Sequence, residues 1–513
     1  MQASYTKNYI QTYIWKSLSF VVGFLSLFVV VPFLSSNKEL YGLYTFCASF
    51  QLYLTYADIG FLSAGQKYAA ECFAKDDREG ETKIFGFVGF ILLCLIIPFS
   101  VFLCYAAFNP GIIITDLSPE NIPIVRLLFL TIAIVSPIQV LLQRVSQSVL
   151  TIRVKDFVSS RIDIVGSLVK ICSVLFFFTG GRYMICEYFL FINCVTIVCC
   201  LITIGIIRRT ENYHFRDIIL SIRWSKPIFD QIKYLAFSSL GATVAWLLYY
   251  ELDLIFIGKL FSITDVAYYS VCFTLLNFIR NISNIIYGPY SQRFNHFVAL
   301  NDESSLKRLL HTIVKNTYPL YVFGCCLLSS ISFYFIMLWV GKDYIPSVPI
   351  LSILAFFFVF QYITQPAGYL AIAREKYKVI NVQSLCTSVL FLILVFVLRA
   401  TGIGLMSFVI AKVSIAVLQG IYLTIFLSKS INIWDAIKPY LPHVVITTAV
   451  ICVSMQYILR WYFPEPDKSS GGLIGLIAIC AIALLVFGII VYATNKSNRE
   501  FVLNKINKWK IKN

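Results

Sequence analysis

Three cations stand deep within apolar runs: Lys170, Arg280 and Lys412. At the centre of a bilayer such a charge costs about 2.5–3.5 kcal/mol, so it faces a cavity or a partner. In a cavity, lysine and arginine suit an anionic ligand, a phosphate above all, through charge-assisted hydrogen bonds. Two further cations, Arg126 and Arg144, mark the two ends of one apolar run. The acidic side chains at comparable depth are Asp58, Asp163, Glu187, Glu251 and Asp253. A buried carboxylate can bind a coupling ion, and Asp163 and Glu187 are the candidates for that role.

Each assignment has a structural competitor. Asp163 and Lys170 share a helical face but lie two turns apart, so pairing, direct or through another helix, competes with a cavity role. Arg126 is near enough to one surface to snorkel outward, and Arg144 to the other. Lys412 has no charged or amide neighbour within a turn, and Arg280 has Asn277, Asn281 and Asn284 around it. Those two are the stronger cavity candidates. Asp58 and Asp253 lie near helix ends, where capping or inter-helix bonding competes.

The elements that must hold these groups follow from composition. Of the 513 residues, 59% are hydrophobic and 13% charged, against roughly 45–50% and 25% in soluble proteins. Mean hydropathy is +0.80, and no half of the chain has a soluble composition. The expectation is an all-α polytopic membrane protein. The net charge of +16 then speaks of topology, not of nucleic acid. With about 20 apolar residues per crossing, the expected spans are 13–34, 42–62, 84–108, 122–146, 157–179, 183–207, 234–258, 266–290, 313–338, 346–372, 379–399, 402–427, 439–461 and 472–494. The apolar run from Ile14 has no small-residue cleavage site after it, and is read as an uncleaved first span.

Fourteen spans put both termini on one side. Loops and adjoining span ends on that side carry 31 of the 42 Lys and Arg residues, and those on the other side carry 7. The positive-inside rule makes the richer side, with both termini, the cytoplasm. The outer loops are short, the longest running from Asn109 to Asn121, and leave no room for an external catalytic domain. The expected organisation is a six-helix lobe at 1–207, a cytoplasmic linker at 208–233, a second six-helix lobe at 234–427, two further helices at 428–494 and a basic tail at 495–513.

A weak internal repeat supports two lobes. At an offset of 226, Gln66-Lys67-Tyr68 aligns with Gln292-Arg293-Phe294, and Asp76-Asp77 with Asp302-Glu303. Six helices per unit gives both the same orientation, a parallel repeat about an axis along the membrane normal. Pro137 and Pro366 fall in corresponding spans, as do Pro98 and Pro319. Interrupted helices at matching places would mark a binding site or a bending element, although membrane helices also tolerate proline.

Familiar enzyme chemistry is missing. There is no G-x-x-x-x-G-K-[ST], no G-x-S-x-G and no H-E-x-x-H. The 15 cysteines include no C-x-x-C, and the four histidines are scattered, so neither metal nor other cofactor is expected. The chain reads as a transporter without a nucleotide site, not as an enzyme.

Certain segments carry a resemblance. Tyr56-Ala57-Asp58-Ile59-Gly60-Phe61 with Gln66-Lys67-Tyr68-Ala69-Ala70-Glu71 resembles the aspartate-x-glycine segment of bacterial polysaccharide flippases. Leu252-Asp253-Leu254-Ile255-Phe256-Ile257-Gly258-Lys259, followed by Val266-Ala267-Tyr268-Tyr269-Ser270, is similar to the start of their second lobe. Val340-Gly341-Lys342-Asp343-Tyr344 is similar as well. Asp58, Gly60, Asp253 and Gly258 are the motif positions. The resemblance is to the Wzx-type O-antigen and capsule flippases of the multidrug/oligosaccharidyl-lipid/polysaccharide exporter superfamily. It implies a bacterial plasma-membrane monomer that moves an undecaprenyl-pyrophosphate-linked oligosaccharide to the outer leaflet, with a polysaccharide polymerase as a potential partner. Lys170, Arg280 and Lys412 would then meet pyrophosphate or acidic sugars in a cavity between the lobes. Helices thirteen and fourteen would form a lateral groove for the lipid tail. The alternatives are a cation-coupled drug or metabolite antiporter of the same superfamily, and a membrane glycosyltransferase or polymerase.

Overall fold

In hydrocarbon every backbone N–H and C=O must be satisfied internally, which leaves apolar segments of this length only the helix or the closed barrel. The chain takes the helix. The structure is a computed structural model that describes residues 2–493 apart from 57–59, 115, 116 and 212. Every regular element among them is helical. The chain divides into two units, Met1–Ser270 and Val271–Asn513.

The first unit holds α1 (Gln2–Leu34), α2 (Lys38–Tyr56), α3 (Phe61–Ala74), α4 (Arg78–Phe108), α5 (Ile122–Ile152), α6 (Phe157–Phe177), α7 (Ile185–Glu211), α8 (Phe215–Leu220), α9 (Lys226–Trp246), α10 (Asp253–Leu260) and the start of α11 (Ile263–Ala299). Here α1 packs along α6, α6 on α7, and α7 on α5, which also packs on α2 and α4. The second unit holds the rest of α11 and α12 (Glu303–Trp339), α13 (Ser347–Leu354), α14 (Gln361–Ala373), α15 (Tyr377–Arg399), α16 (Met406–Ser428), α17 (Ile433–Ile437), α18 (Leu441–Tyr462) and α19 (Ser470–Ala493). Its central helix is α12, which packs on α13, α14, α17, α18 and α19.

Among the described residues nine helices are long and apolar enough to cross a membrane, or ten if the bent pair Ser347–Phe358 and Gln361–Ala373 is one span. The other expected spans, 42–62, 157–179, 234–258 and 266–290, are also helical but broken or polar. In the first, α2 is described to Tyr56, and Gly60, with φ 83°, precedes α3, a left-handed position that suits glycine. The second is α6, which carries Arg161, Asp163 and Lys170. The third is split between α9 and α10 by a π-helical turn, Leu247–Glu251.

The prolines do not interrupt their helices. Pro98, Pro137 and Pro319 stand inside continuous α4, α5 and α12. The 44° bend near Pro366 falls upstream of it, between Phe358 and Gln361. Membrane helices accommodate proline where neighbours re-satisfy the freed carbonyl.

Four described non-glycine residues have positive φ: Asp76, Val154, Asn301 and Glu375. They form two matching pairs. Asp76 and Asn301 each close a Schellman turn, with Asp77 N–H reaching Cys72 O and Asp302 N–H reaching Phe297 O. The next residue then caps a long helix, as Asp77 accepts from Gly80 N–H and Asp302 from Ser305 N–H. Val154 and Glu375 close the same kind of turn after α5 and α14. In this pairing Asp77 matches Asp302, one residue off the register in which Asp77 faces Glu303.

Candidate functional site

In the first unit Lys170 projects from α6 to α7 and donates to Thr196 Oγ1 at 2.6 Å. Thr196 in turn donates to Ile192 O at 2.9 Å. A lysine in the membrane is thereby tied to a hydroxyl on the next helix, an inter-helix bond of the kind polar groups make in lipid. Asp163 is half-buried on the same helix, about 10 Å away along the axis. Arg126 is exposed near the start of α5, with its guanidinium 5.4 Å from the centre of the Phe108 ring. Its stem lies on apolar surface and its head reaches out.

Arg144 lies near the other end of α5 and donates to the carbonyl of Thr55. Thr55 lies on α2. The bond ties α5 to α2. Glu187 is exposed in the first turn of α7.

The motif positions are structural in their surroundings. Asp58 lies outside the described residues. Asp253 opens α10, is fully buried and accepts from Tyr269 Oη of α11 at 2.5 Å. At Gly258 a Cβ would meet the Phe46 ring at 2.4 Å, so glycine lets α10 approach α2. Glu251 is a polar centre whose role is not evident from sequence. It closes the π-helical turn, is 3% exposed, and accepts from Trp246 Nε1 at 3.1 Å and Tyr56 Oη at 3.2 Å. Turns of this kind inside α-helices are frequent at functional sites. Its signal in the sequence is the run Tyr249-Tyr250-Glu251-Leu252-Asp253 inside an apolar stretch.

In the second unit Lys412 is 1% exposed on α16. Its Nζ lies 5.5 Å from the centre of Phe391, 5.8 Å from Phe357 and 6.0 Å from Phe408. Ring faces present negative potential to a cation, and a desolvated contact of this kind is worth about 2 kcal/mol. Arg280 is half-buried on α11, where Asn281 and Asn284 are exposed. A cavity of about 350 Å³ opens in this unit, lined by Ile279, Ile286, Tyr321, Leu328, Phe358 and Leu484 among others. Its wall is almost wholly apolar. Lys170, Arg126 and Arg144 therefore belong to the first unit, Arg280 and Lys412 to the second.

The ends of the helices hold ion pairs that span counting does not reveal. Arg153 at the end of α5 grips Glu81 of α4 through two nitrogens, at 2.8 and 2.9 Å, with both side chains 1% exposed. Glu211 follows at 3.7 Å, itself held by Lys155 at 2.5 Å. Among the described residues no group of His, Cys, Asp and Glu side chains forms a metal site.

No protein-family model matches the chain, and no curated relative does. Solved structures do share its architecture. The lipid II flippase MurJ, in an inward closed conformation, superposes with a TM-score of 0.68, covering 94% of this chain and 99% of that one at 15% identity. The chain has the MurJ fold. An inward-facing multidrug resistance MATE family transporter of the MOP superfamily gives 0.63, covering 80% of this chain and 94% of its own at 11% identity. A MOP superfamily transporter from Pyrococcus furiosus gives 0.56 over 83% of this chain and 96% of its own, at 12% identity. With nine apolar candidate spans in this fold, the protein is a multi-pass membrane protein.

Proposed function

We propose that the protein is a Wzx-type flippase. It carries an undecaprenyl-pyrophosphate-linked oligosaccharide across the bacterial plasma membrane by alternating access, in surface polysaccharide biosynthesis. The extent of the structural match carries this reading. The match to the MATE transporter takes nearly all of that protein yet leaves a fifth of this chain outside. The match to the lipid flippase takes nearly all of both.

Two features support the same reading. The apolar cavity, to which α11, α12 and α19 contribute, suits an isoprenoid tail, because such a tail needs no hydrogen bonds. Lys412 and Arg280 supply positive charge for a pyrophosphate, and Lys170, Arg126 and Arg144 are further candidates. In this reading both termini are cytoplasmic, which the bias of the loop charges supports. A drug or metabolite antiporter is the second reading, favoured by the likeness to the MATE structures. Asp163 and Glu187 are its candidate coupling groups, and Glu251 joins them on grounds of burial.

The test is complementation of a strain lacking the gene. Lys412→Ala and Arg280→Ala should abolish surface polysaccharide at unchanged protein abundance, while lipid-linked oligosaccharide accumulates in the inner leaflet. Normal polysaccharide in both variants would refute the cationic site. Normal polysaccharide in the deletion strain, with altered drug sensitivity, would favour the antiporter.

A further inference from the structure

One row of uncharged polar side chains is left over by the cation argument. Gln139, Gln143 and Gln147 stand at four-residue spacing on α5, and all three are half-buried. Such spacing puts them on one face, spread over about 12 Å of axis. The exposed apolar residues Leu127, Ile134 and Ile138 of α5 lie about half a turn around the helix from this row. The row therefore faces into the first unit and away from lipid. Gln139 fixes the direction, since it accepts from Gln51 Nε2 of α2 at 3.2 Å. Gln51 also donates to Asn193 Oδ1 of α7 at 2.8 Å.

The two ends of this row differ. Gln139 belongs to a closed network that binds α2, α5 and α7 together, as structural amides in membranes do. Gln143 and Gln147 make no side-chain hydrogen bond to any described residue. An amide without a partner in an apolar interior is costly. A partly buried one that persists gets its partners from water or from a bound molecule. Each amide offers two donors and two lone pairs without net charge, which matches both the donors and the acceptors of sugar hydroxyls but leaves the charge of a phosphate uncompensated.

We propose that Gln143 and Gln147, on the same face of α5 as Gln139 and its network with Gln51 of α2 and Asn193 of α7, form a subsite for neutral sugar residues of the transported glycolipid. This rests on the flippase reading and separates two kinds of recognition: cations for the pyrophosphate, amides for the glycan.

The full-length protein in lipid nanodiscs is titrated with two probes. One is undecaprenyl pyrophosphate, which has no sugar. The other is the lipid-linked oligosaccharide extracted from the cells that make the protein. The double variant Gln143→Leu, Gln147→Leu should bind the extracted glycolipid at least tenfold more weakly and undecaprenyl pyrophosphate within twofold of wild type. Should the leucine pair fail to fold, the Gln143→Asn, Gln147→Asn pair keeps both amides with shorter reach, and should show a smaller loss confined to the glycolipid. Equal losses for both probes, or no loss for the glycolipid, would overturn the subsite. Wild type binding both probes equally would overturn the subsite and leave the flippase reading standing. Binding of neither probe by wild type would overturn both.

Discussion

Arg153 and Arg374 hold the same place in two equivalent turns: each is the last residue before a left-handed position, at Val154 and Glu375. Each reaches a glutamate in the first turn of the preceding long helix. Arg153 meets Glu81, and Arg374 meets Glu303 at 2.7 Å. The environments differ. The first pair is sealed under Phe73 and Tyr213, whose ring centres lie 4.6 and 5.1 Å from the guanidinium. In the second, the Glu303 side chain is 58% exposed.

The two pairs should therefore respond differently to the same change. Glu81→Ala strands a buried guanidinium and should cost about 3–5 kcal/mol, the lower end if Glu211 takes over. Glu303→Ala should cost roughly 0–1 kcal/mol, because water already screens that pair. Thermal unfolding in detergent compares the two. Equal losses would contradict the difference in burial.

Lys412 separates function from stability. Lys412→Met removes a buried cation while Phe357, Phe391 and Phe408 remain to pack on the new side chain. Replacing a buried charge by an apolar residue of similar volume is often neutral or stabilising. Melting temperature and abundance should equal or exceed those of wild type, and polysaccharide export should be lost. Export at the wild-type level would assign Lys412 to packing alone.

Glu251 tests the π-helical turn. Glu251→Leu leaves the Trp246 indole and the Tyr56 hydroxyl without this acceptor, a loss of about 1–3 kcal/mol. Glu251→Gln keeps an acceptor oxygen and should lose much less. Denaturant unfolding measures both. Indistinguishable variants would mean that the carboxylate does not hold the turn.

Asp302 predicts a pH dependence. Hydrogen bonds from the Ser305 hydroxyl, then its backbone N–H and the Ser304 hydroxyl, lower its carboxyl from 3.8 to about 2. A depressed folded pKa stabilises above the unfolded value, and that contribution is lost as pH falls toward the folded value. Wild type should thus melt above Asp302→Asn at neutral pH, and the gap should close between pH 4 and about 2. A gap independent of pH would contradict the capping role.

Legibility in the sequence followed the physics of each signal. Apolar length announced α4, α5, α7, α12 and α19, because hydrocarbon leaves such segments little alternative to the helix. The all-helical membrane fold follows from the same signal. The repeat was visible at Asp76-Asp77 and Asp302-Glu303 but misregistered by one residue. Identity matching rewarded two acids facing two acids, whereas the turn pairs the capping Asp77 with Asp302 and lets Asn301 take the left-handed place of Asp76. The partners of Arg144 and Lys170 were hidden, since Thr55 and Thr196 come from other helices and hydropathy carries no information about which helices touch. Glu251 was visible as a buried acid but not as a π-turn acceptor, because its donors Trp246 and Tyr56 meet it only in the fold. The Arg153–Glu81 pair leaves no mark in the sequence, because charge at a helix end is usually solvated.

The central claim is tested most directly in unilamellar vesicles carrying the purified protein and extracted lipid-linked oligosaccharide in both leaflets. The quantity to measure is the fraction of glycan open to a membrane-impermeant glycan-oxidising reagent. With the protein, the inner-leaflet share should become accessible from outside, and vesicles with the Lys412→Ala variant should behave like protein-free ones. An accessible fraction confined to the outer leaflet in the presence of folded wild-type protein would contradict the account.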